Sequence, residues 1–255
     1  MIKIYLKLIN TKIIVFFVNL LIFRRTDKII DDGSRKRILI LAPHPDDEII
    51  GIGGIVLQVL QNKGAVYIVY LTDGEESGAW NDKERIKKER INISEEVVNM
   101  LNIPVENIYR LRLKDGKVPH RGDSDFFEVV KILTDIVEKV QPDTVFATHY
   151  LDYWPFDHVA CSEMAIEIQK RLTTKTDFWF YWVWTWYHLK PWHLKSLLKR
   201  KLIKVDISNE HSQKMKLMNH YLQPKSPEGK PWSGSLPKSM FYPFTKPYEI
   251  IEKYE

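Results

Sequence analysis

The sequence predicts an α/β protein with a mostly parallel sheet and helices on both faces. Three observations carry this expectation. Continuous apolar runs at residues 38–41, 65–72 and 144–148 read as strands covered on both sides. Each run ends in a polar turn. Each turn leads into a segment of helical periodicity, and such alternation implies βαβ units. The 255 residues suit one large domain or a domain with appendages, and 44% apolar with 28% charged residues are globular values. The net charge of +5 is unevenly placed, since residues 190–204 carry six basic residues and no acid. A single cysteine, Cys161, excludes an intramolecular disulfide and a cysteine-based zinc finger.

Taken in order, residues 1–30 stand apart as an apolar and basic segment. Lys3 and Lys7 interrupt its start, residues 13–23 are apolar except for Asn19, and Arg24 and Arg25 close the run. That apolar core is about half the ~20 residues a spanning helix needs. No small-x-small cleavage site follows. Three readings fit: an interfacial or signal-anchor helix, an uncleaved export signal, or an amphipathic helix packed on the domain. The expected location is cytoplasmic, with residues 1–25 as the means of any membrane association.

After a linker at residues 31–34, the strand at 38–41 meets an elbow, and an apolar helix follows. The strand at 65–72 ends at Asp73-Gly74-Glu75-Glu76, and residues 81–102 form a charged amphipathic helix expected to face inward through Ile86, Ile93, Val97, Met100 and Leu101. Residues 107–113 read as the third strand, and Asp115-Gly116 as a turn. Asp125 with Glu128 three residues on has a capping-box pattern and opens the next helix. Gln141-Pro142-Asp143 stops it before the strand at 144–148. A helix at 157–172, an aromatic strand at 178–186, a strand at 202–207 and a helix at 208–222 complete the series. The proline-rich tail, 224–255, is expected to wrap the surface of the 36–223 domain as irregular chain.

The chemistry concentrates at two strand ends. His44, Asp46, Asp47 and Glu48 pack one imidazole and three carboxylates into five residues. Such acids repel one another unless a cation sits among them, and a divalent metal supplies the most charge. The second cluster, His149 to His158, also follows a strand and precedes a helix, so a parallel sheet brings both to one rim. His44, Asp47 and His158 would give two imidazoles and a carboxylate, the donor set of catalytic zinc sites. Asp46 can then face the attacking water as general base, with Asp157 in a supporting, hydrogen-bonding role. Gly51, Gly53 and Gly54 do not make a dinucleotide loop, because Val56 stands where GxGxxG needs glycine. Close backbone packing is the expected cause of these glycines. The tryptophans Trp179, Trp182, Trp184 and Trp186 read first as core, and second as a sugar-stacking or membrane-interface surface. The basic run at 190–204 reads first as a solvated face and second as a contact for anionic headgroups. No nucleic-acid module accompanies it.

Ala42-His44-Pro45-Asp46-Asp47-Glu48 with Gly53-Gly54 resembles the signature of the PIG-L/LmbE-like family of zinc-dependent N-deacetylases. The similarity extends through Leu71-Thr72-Asp73-Gly74-Glu75, Asp115-Gly116, Gln141-Pro142-Asp143, Asp157-His158 and His220-Tyr221-Leu222-Gln223. The resemblance implies a Rossmann-like fold, a Zn2+ or other divalent cofactor, and removal of acetyl from an N-acetylglucosamine-type sugar or glycolipid. It matches His44, Asp47 and His158 to metal ligands and Asp46 to the base. It also matches Tyr153 to an oxyanion-stabilising tyrosine and Arg90 to a substrate-binding arginine. Two departures stand out. Pro43 separates Ala42 from His44, and Pro155 replaces the first histidine of the family's His-Pro-Asp-His pattern by position. Tyr153, His149 and His220 are the candidates to take over that histidine's work. The alternative to an enzyme is a silent descendant that binds a glycan or a membrane partner.

Overall fold

A computed structural model describes residues 2–22, 36–197 and 199–254. Arg24, Arg25 and the linker at 31–34 lie outside these residues. Seven strands form one sheet: β1 (Arg37–Ala42), β2 (Ala65–Thr72), β3 (Ile108–Leu113), β4 (Thr144–Thr148), β5 (Asp177–Tyr181), β6 (Leu202–Asp206) and β7 (Tyr248–Lys253). Their spatial order is β3-β2-β1-β4-β5-β7-β6. The first five are parallel, with Ile38 level with both Val66 and Thr144, and β7 runs antiparallel to β5 and β6. The chain steps one way from β1 to β3 and the other way from β4 to β5. The reversal falls between β1 and β4, where open α/β sheets place their crevice.

Alternation along the buried strands divides the core into two layers. Ile38, Ile40, Ile68 and Tyr70 face α2 (Asp47–Gln61), α3 (Lys83–Met100) and α8 (His211–Leu222). Leu39, Leu41, Val69 and Val145 face α4 (Phe126–Val140) and α5 (Phe156–Arg171). Helices therefore cover both faces, as expected. α1 (Ile2–Ile22) joins the first layer through Ile14, Val15 and Val18, beside α9 (Lys238–Phe244). Among the described residues, no helix is long and apolar enough to cross a membrane.

The glycines of α2 do serve close approach. A side chain at Gly51 would meet the Tyr181 ring at 2.2 Å, and one at Gly54 would meet Ile207 at 2.5 Å. The helix also breaks at Ile52 (φ −137°, ψ 25°), which frees backbone amides beyond it. Glu249 of β7 caps them, accepting from Gly54 N (2.7 Å) and Ile55 N (2.9 Å), while the buried Lys214 ammonium lies 2.6 Å from the same carboxylate.

Three expectations need correction. The aromatic strand stops at Tyr181, and α6 (Thr185–His188) follows. The Asp152 carboxylate takes both the amide and the hydroxyl of Thr185, turning the chain away from the sheet, and Trp182 packs edge-on against Trp186 with centroids 4.9 Å apart. The tryptophans from Trp179 to Trp186 are nonetheless core residues. The tail is not irregular throughout. It contains α9 and β7, and β7 sits inside the sheet because Glu249 and Glu252 find partners in the buried Lys214 and His149 and in the partly buried Arg200. Asp125 precedes α4 but makes no side-chain capping bond, whereas Asp82 caps α3 at Arg85 N (3.0 Å). A last short helix, α7 (Leu194–Leu197), leads into β6.

The Glu249–Lys214 pair should carry measurable stability. Glu249→Ala leaves a buried ammonium and two helix amides without their acceptor, and should cost about 3–5 kcal/mol in denaturant unfolding. Unchanged stability would remove the pair from this account.

Candidate metal centre

β1 and β4 end side by side, so the two polar elbows meet over the switch point. The first elbow is pinned by Thr72, whose amide (3.0 Å) and hydroxyl (2.9 Å) both donate to Pro43 O. Asp46 holds a φ of 130°, a conformation that costs a non-glycine residue about 1–3 kcal/mol. Glu48 restrains it by accepting the Asp46 amide at 3.0 Å. Glu48 is fixed in turn by the hydroxyls of Tyr70 (3.0 Å) and Tyr221 (2.5 Å). Burial raises the Glu48 pKa against these hydrogen bonds.

Three donor atoms converge. His44 Nδ1 is 3.2 Å from Asp47 Oδ2, and His158 Nε2 is 3.3 Å from the same oxygen. The remaining nitrogens are held by other carboxylates: His44 Nε2 by Asp115 (3.0 Å) and Asp157 (3.3 Å), and His158 Nδ1 by Asp152 (3.1 Å). With those nitrogens held, the opposite nitrogens of the two rings point toward Asp47, where a cation could take the place of a proton. All of these side chains are buried.

The set suits a cation. His158 Nε2 is fully buried and makes no hydrogen bond, although it lies beside Asp47. A nitrogen lone pair, a carboxylate oxygen and a second imidazole nitrogen within 4.8 Å of one another form the donor set of a catalytic zinc site. His44, Asp115 and Asp157 also lie within that range. Carboxylates of both sets also accept backbone amides, Asp47 from His44 N (3.0 Å), Asp157 from Gly116 N (2.7 Å) and Val118 N (3.2 Å), and Asp115 from Glu76 N (2.7 Å). The orphaned nitrogen favours the first set.

The charges shift accordingly. Burial alone would lower the His158 pKa, but Asp47 and Asp152 outweigh it and push the group up to about 9. Burial likewise opposes protonation of His44, and Asp115, Asp157 and Asp47 together raise its pKa well above the ordinary value. Asp47 and Asp115 are held below the usual carboxylate range by these imidazoles, against the effect of burial. Asp46 moves the other way. Burial, opposed by Arg90 and helped by Asp47, pushes it up to about 7.

A cavity of about 400 Å3 opens over the cluster. Asp46, Asp47, His44, His158 and Arg90 line it, with Trp154, Pro155 and Trp184 on one side and residues 233–236 on another. Arg90 donates from Nη2 to Pro45 O (2.8 Å), lies 3.5 Å from Asp46, and passes over Gly74, where a side chain would meet it at 2.2 Å. Asp157 is buried behind His44 and does not line the cavity. Tyr153 is not brought to it either. It stands half-exposed against His188, with ring centroids 6.0 Å apart. His149 is buried against Glu252 (3.0 Å), and His220 pairs with Glu96 (2.6 Å) between α8 and α3. Sequence reasoning did not assign roles to Asp115, Asp152, Glu48 or Tyr221. Glu48 stood out only as a member of the first acidic cluster, Asp115 only as a turn in the family pattern, and Asp152 only by its place after a strand, six residues before His158.

Similarity to known proteins agrees with this geometry. The chain resembles the N,N'-diacetylchitobiose deacetylase of Pyrococcus horikoshii at 22% identity and a TM-score of 0.59, over 89% of this chain and 80% of that one. It resembles teicoplanin deacetylase in its zinc-inhibited form at 15% identity and a TM-score of 0.61, over 85% and 97%. It also resembles 4-carboxy-2-hydroxymuconate hydratase of Pseudomonas putida at 18% identity and a TM-score of 0.56, over 72% and 78%. At these identities the likeness establishes a shared fold. A putative glucosamine-6-phosphate deaminase-like protein of Bacteroides thetaiotaomicron is 41% identical over 39 residues, 15% of this chain and 6% of that protein's length. The profile of the PIG-L family, described as GlcNAc-PI de-N-acetylase, matches residues 39–169, just over half of the chain and both metal-centre elbows. The chain belongs to the PIG-L family.

Proposed function

We propose that this protein is a metal-dependent hydrolase that removes the N-acetyl group from an N-acetylglucosamine-type sugar or glycoconjugate. The observation that carries the reading is the convergence of His44 Nδ1, Asp47 Oδ2 and His158 Nε2 on a cavity wall that also presents Asp46. A zinc ion held by His44, Asp47 and His158 would supply a Lewis acid for the acetyl carbonyl and acidify water at neutral pH.

The chain's own groups do the rest. Asp46 takes the proton of the attacking water, because its carboxylate faces the cavity and its side-chain neighbour, Arg90, is a distant 3.5 Å. Tyr153, His149 and His220 do not line the cavity, so Asp46 also returns a proton to the departing amine. Arg90 holds the Pro45 carbonyl and keeps the elbow and the α3 wall together. Trp154 and Trp184 line the cavity wall, and aromatic side chains there suit the apolar side of a sugar ring. A second reading, a silent protein that binds a glycan, draws on Pro155, which lines the cavity at the position of the missing histidine.

Two substitutions separate the roles. Asp46→Asn should retain the metal and lower acetate release by about 10²–10⁴-fold. Full activity in that variant would remove Asp46 as the base, and parallel loss of metal would make it a ligand. Asp152→Asn should weaken metal affinity by about 10–100-fold in a calorimetric titration, since it orients His158. Unchanged affinity would contradict that role.

A further inference from the structure

We propose that α1, α9 and the segment at 190–204 form a face that docks on an anionic lipid surface, with α1 lying in the plane of the interface. α1 has two stripes. Thr11, Ile14, Val15 and Val18 are buried against the domain. Leu6, Ile9, Ile13, Phe16, Phe17 and Leu20 point outward and stay exposed, with Phe16 at 64% and Leu20 at 62%. Their spacing is that of one helix face, and a face meant for water alone would be polar there.

The charge around this stripe is of one sign. Residues 2–22, 190–204 and 238–246 hold eleven of the chain's 38 basic residues and none of its 33 acids. The rest of the chain is left with 27 basic and 33 acidic residues, a net negative balance. The structure brings these stretches together, because α1 lies against α9, α6, α7 and the turn that carries Trp192. The Lys12 and Lys246 ammonium groups both lie over one aromatic ring, 5.5 Å and 4.3 Å from the Tyr242 centroid. Lys190 lies 5.1 Å from the ring of Trp192, itself 70% exposed. Exposed tryptophan and lysine beside an apolar helix face match an interfacial helix on anionic headgroups. A second copy fits less well, since a two-fold interface would set two acid-free basic faces against each other.

The face adjoins the metal centre. A cavity of about 500 Å3, lined by Leu8, Lys12 and Phe241, shares Gly234 and Leu236 with the cavity over His44 and His158. Docking through α1 would therefore set the substrate cavity beside the lipid surface.

Co-sedimentation of the full chain with phosphatidylcholine vesicles, with and without phosphatidylglycerol, tests the proposal. Binding should require phosphatidylglycerol and weaken as salt is raised. Neutralising the exposed Lys195 and Lys199 to glutamine should weaken it by about tenfold. Phe16→Ser with Leu20→Ser should abolish it while circular dichroism and bound metal stay unchanged. Three results would overturn the proposal: no binding to anionic vesicles, equal binding to neutral ones, or binding that survives both double variants. Self-association in sedimentation velocity that Phe16→Ser with Leu20→Ser abolishes, without vesicle binding, would reassign the face to a second copy.

Discussion

Burial of negative charge organises this molecule. Asp46, Asp47, Glu48, Asp115, Asp152 and Asp157 are all removed from solvent around two imidazoles and one guanidinium. Isolated buried carboxylates would be prohibitively unfavourable, so each must be paired, hydrogen-bonded or protonated. The structure pairs and hydrogen-bonds them: Asp157 and Asp115 bind backbone amides, Asp47 and Asp152 face imidazoles, and Asp46, 3.5 Å from Arg90, is left with a raised pKa. What remains is a gap between three donor atoms, one of them an orphaned nitrogen, and a divalent cation would fit it.

Distant parts of the chain keep that arrangement in place. The C-terminal strand reaches into the sheet and caps the broken helix that starts at Asp47, so the elbow depends on residues about two hundred positions away. Tyr221 of α8 and Tyr70 of β2 converge on Glu48, which holds Asp46 in its strained backbone. Asp152 links two jobs. One oxygen orients His158, and the other turns the chain at Thr185 and thereby places Trp184 on the cavity wall.

The sheet and the meeting of His44, Asp47 and His158 at its rim were legible in the sequence because their signals are local. Buried parallel strands read as apolar runs, and the ligand clusters follow two of them directly. Long-range chemistry was not legible. Asp115 read as an ordinary turn, since its bond to His44 spans 71 residues. The aromatic strand read five residues too long because its end is set by Asp152, far upstream. β7 was hidden by Glu249 and Glu252, whose partners lie on other elements and make charged residues tolerable inside a sheet. Tyr153 kept the expected spacing from His158, but spacing alone did not fix its direction, and it turns toward His188.

The measurement that bears most directly on the proposed metal-dependent hydrolysis is acetate release from a panel of N-acetylglucosaminyl compounds, with zinc added and with a chelator. The account predicts release that appears with zinc and disappears with the chelator. Release that persists in the chelator, with the protein shown to be metal-free, would contradict it.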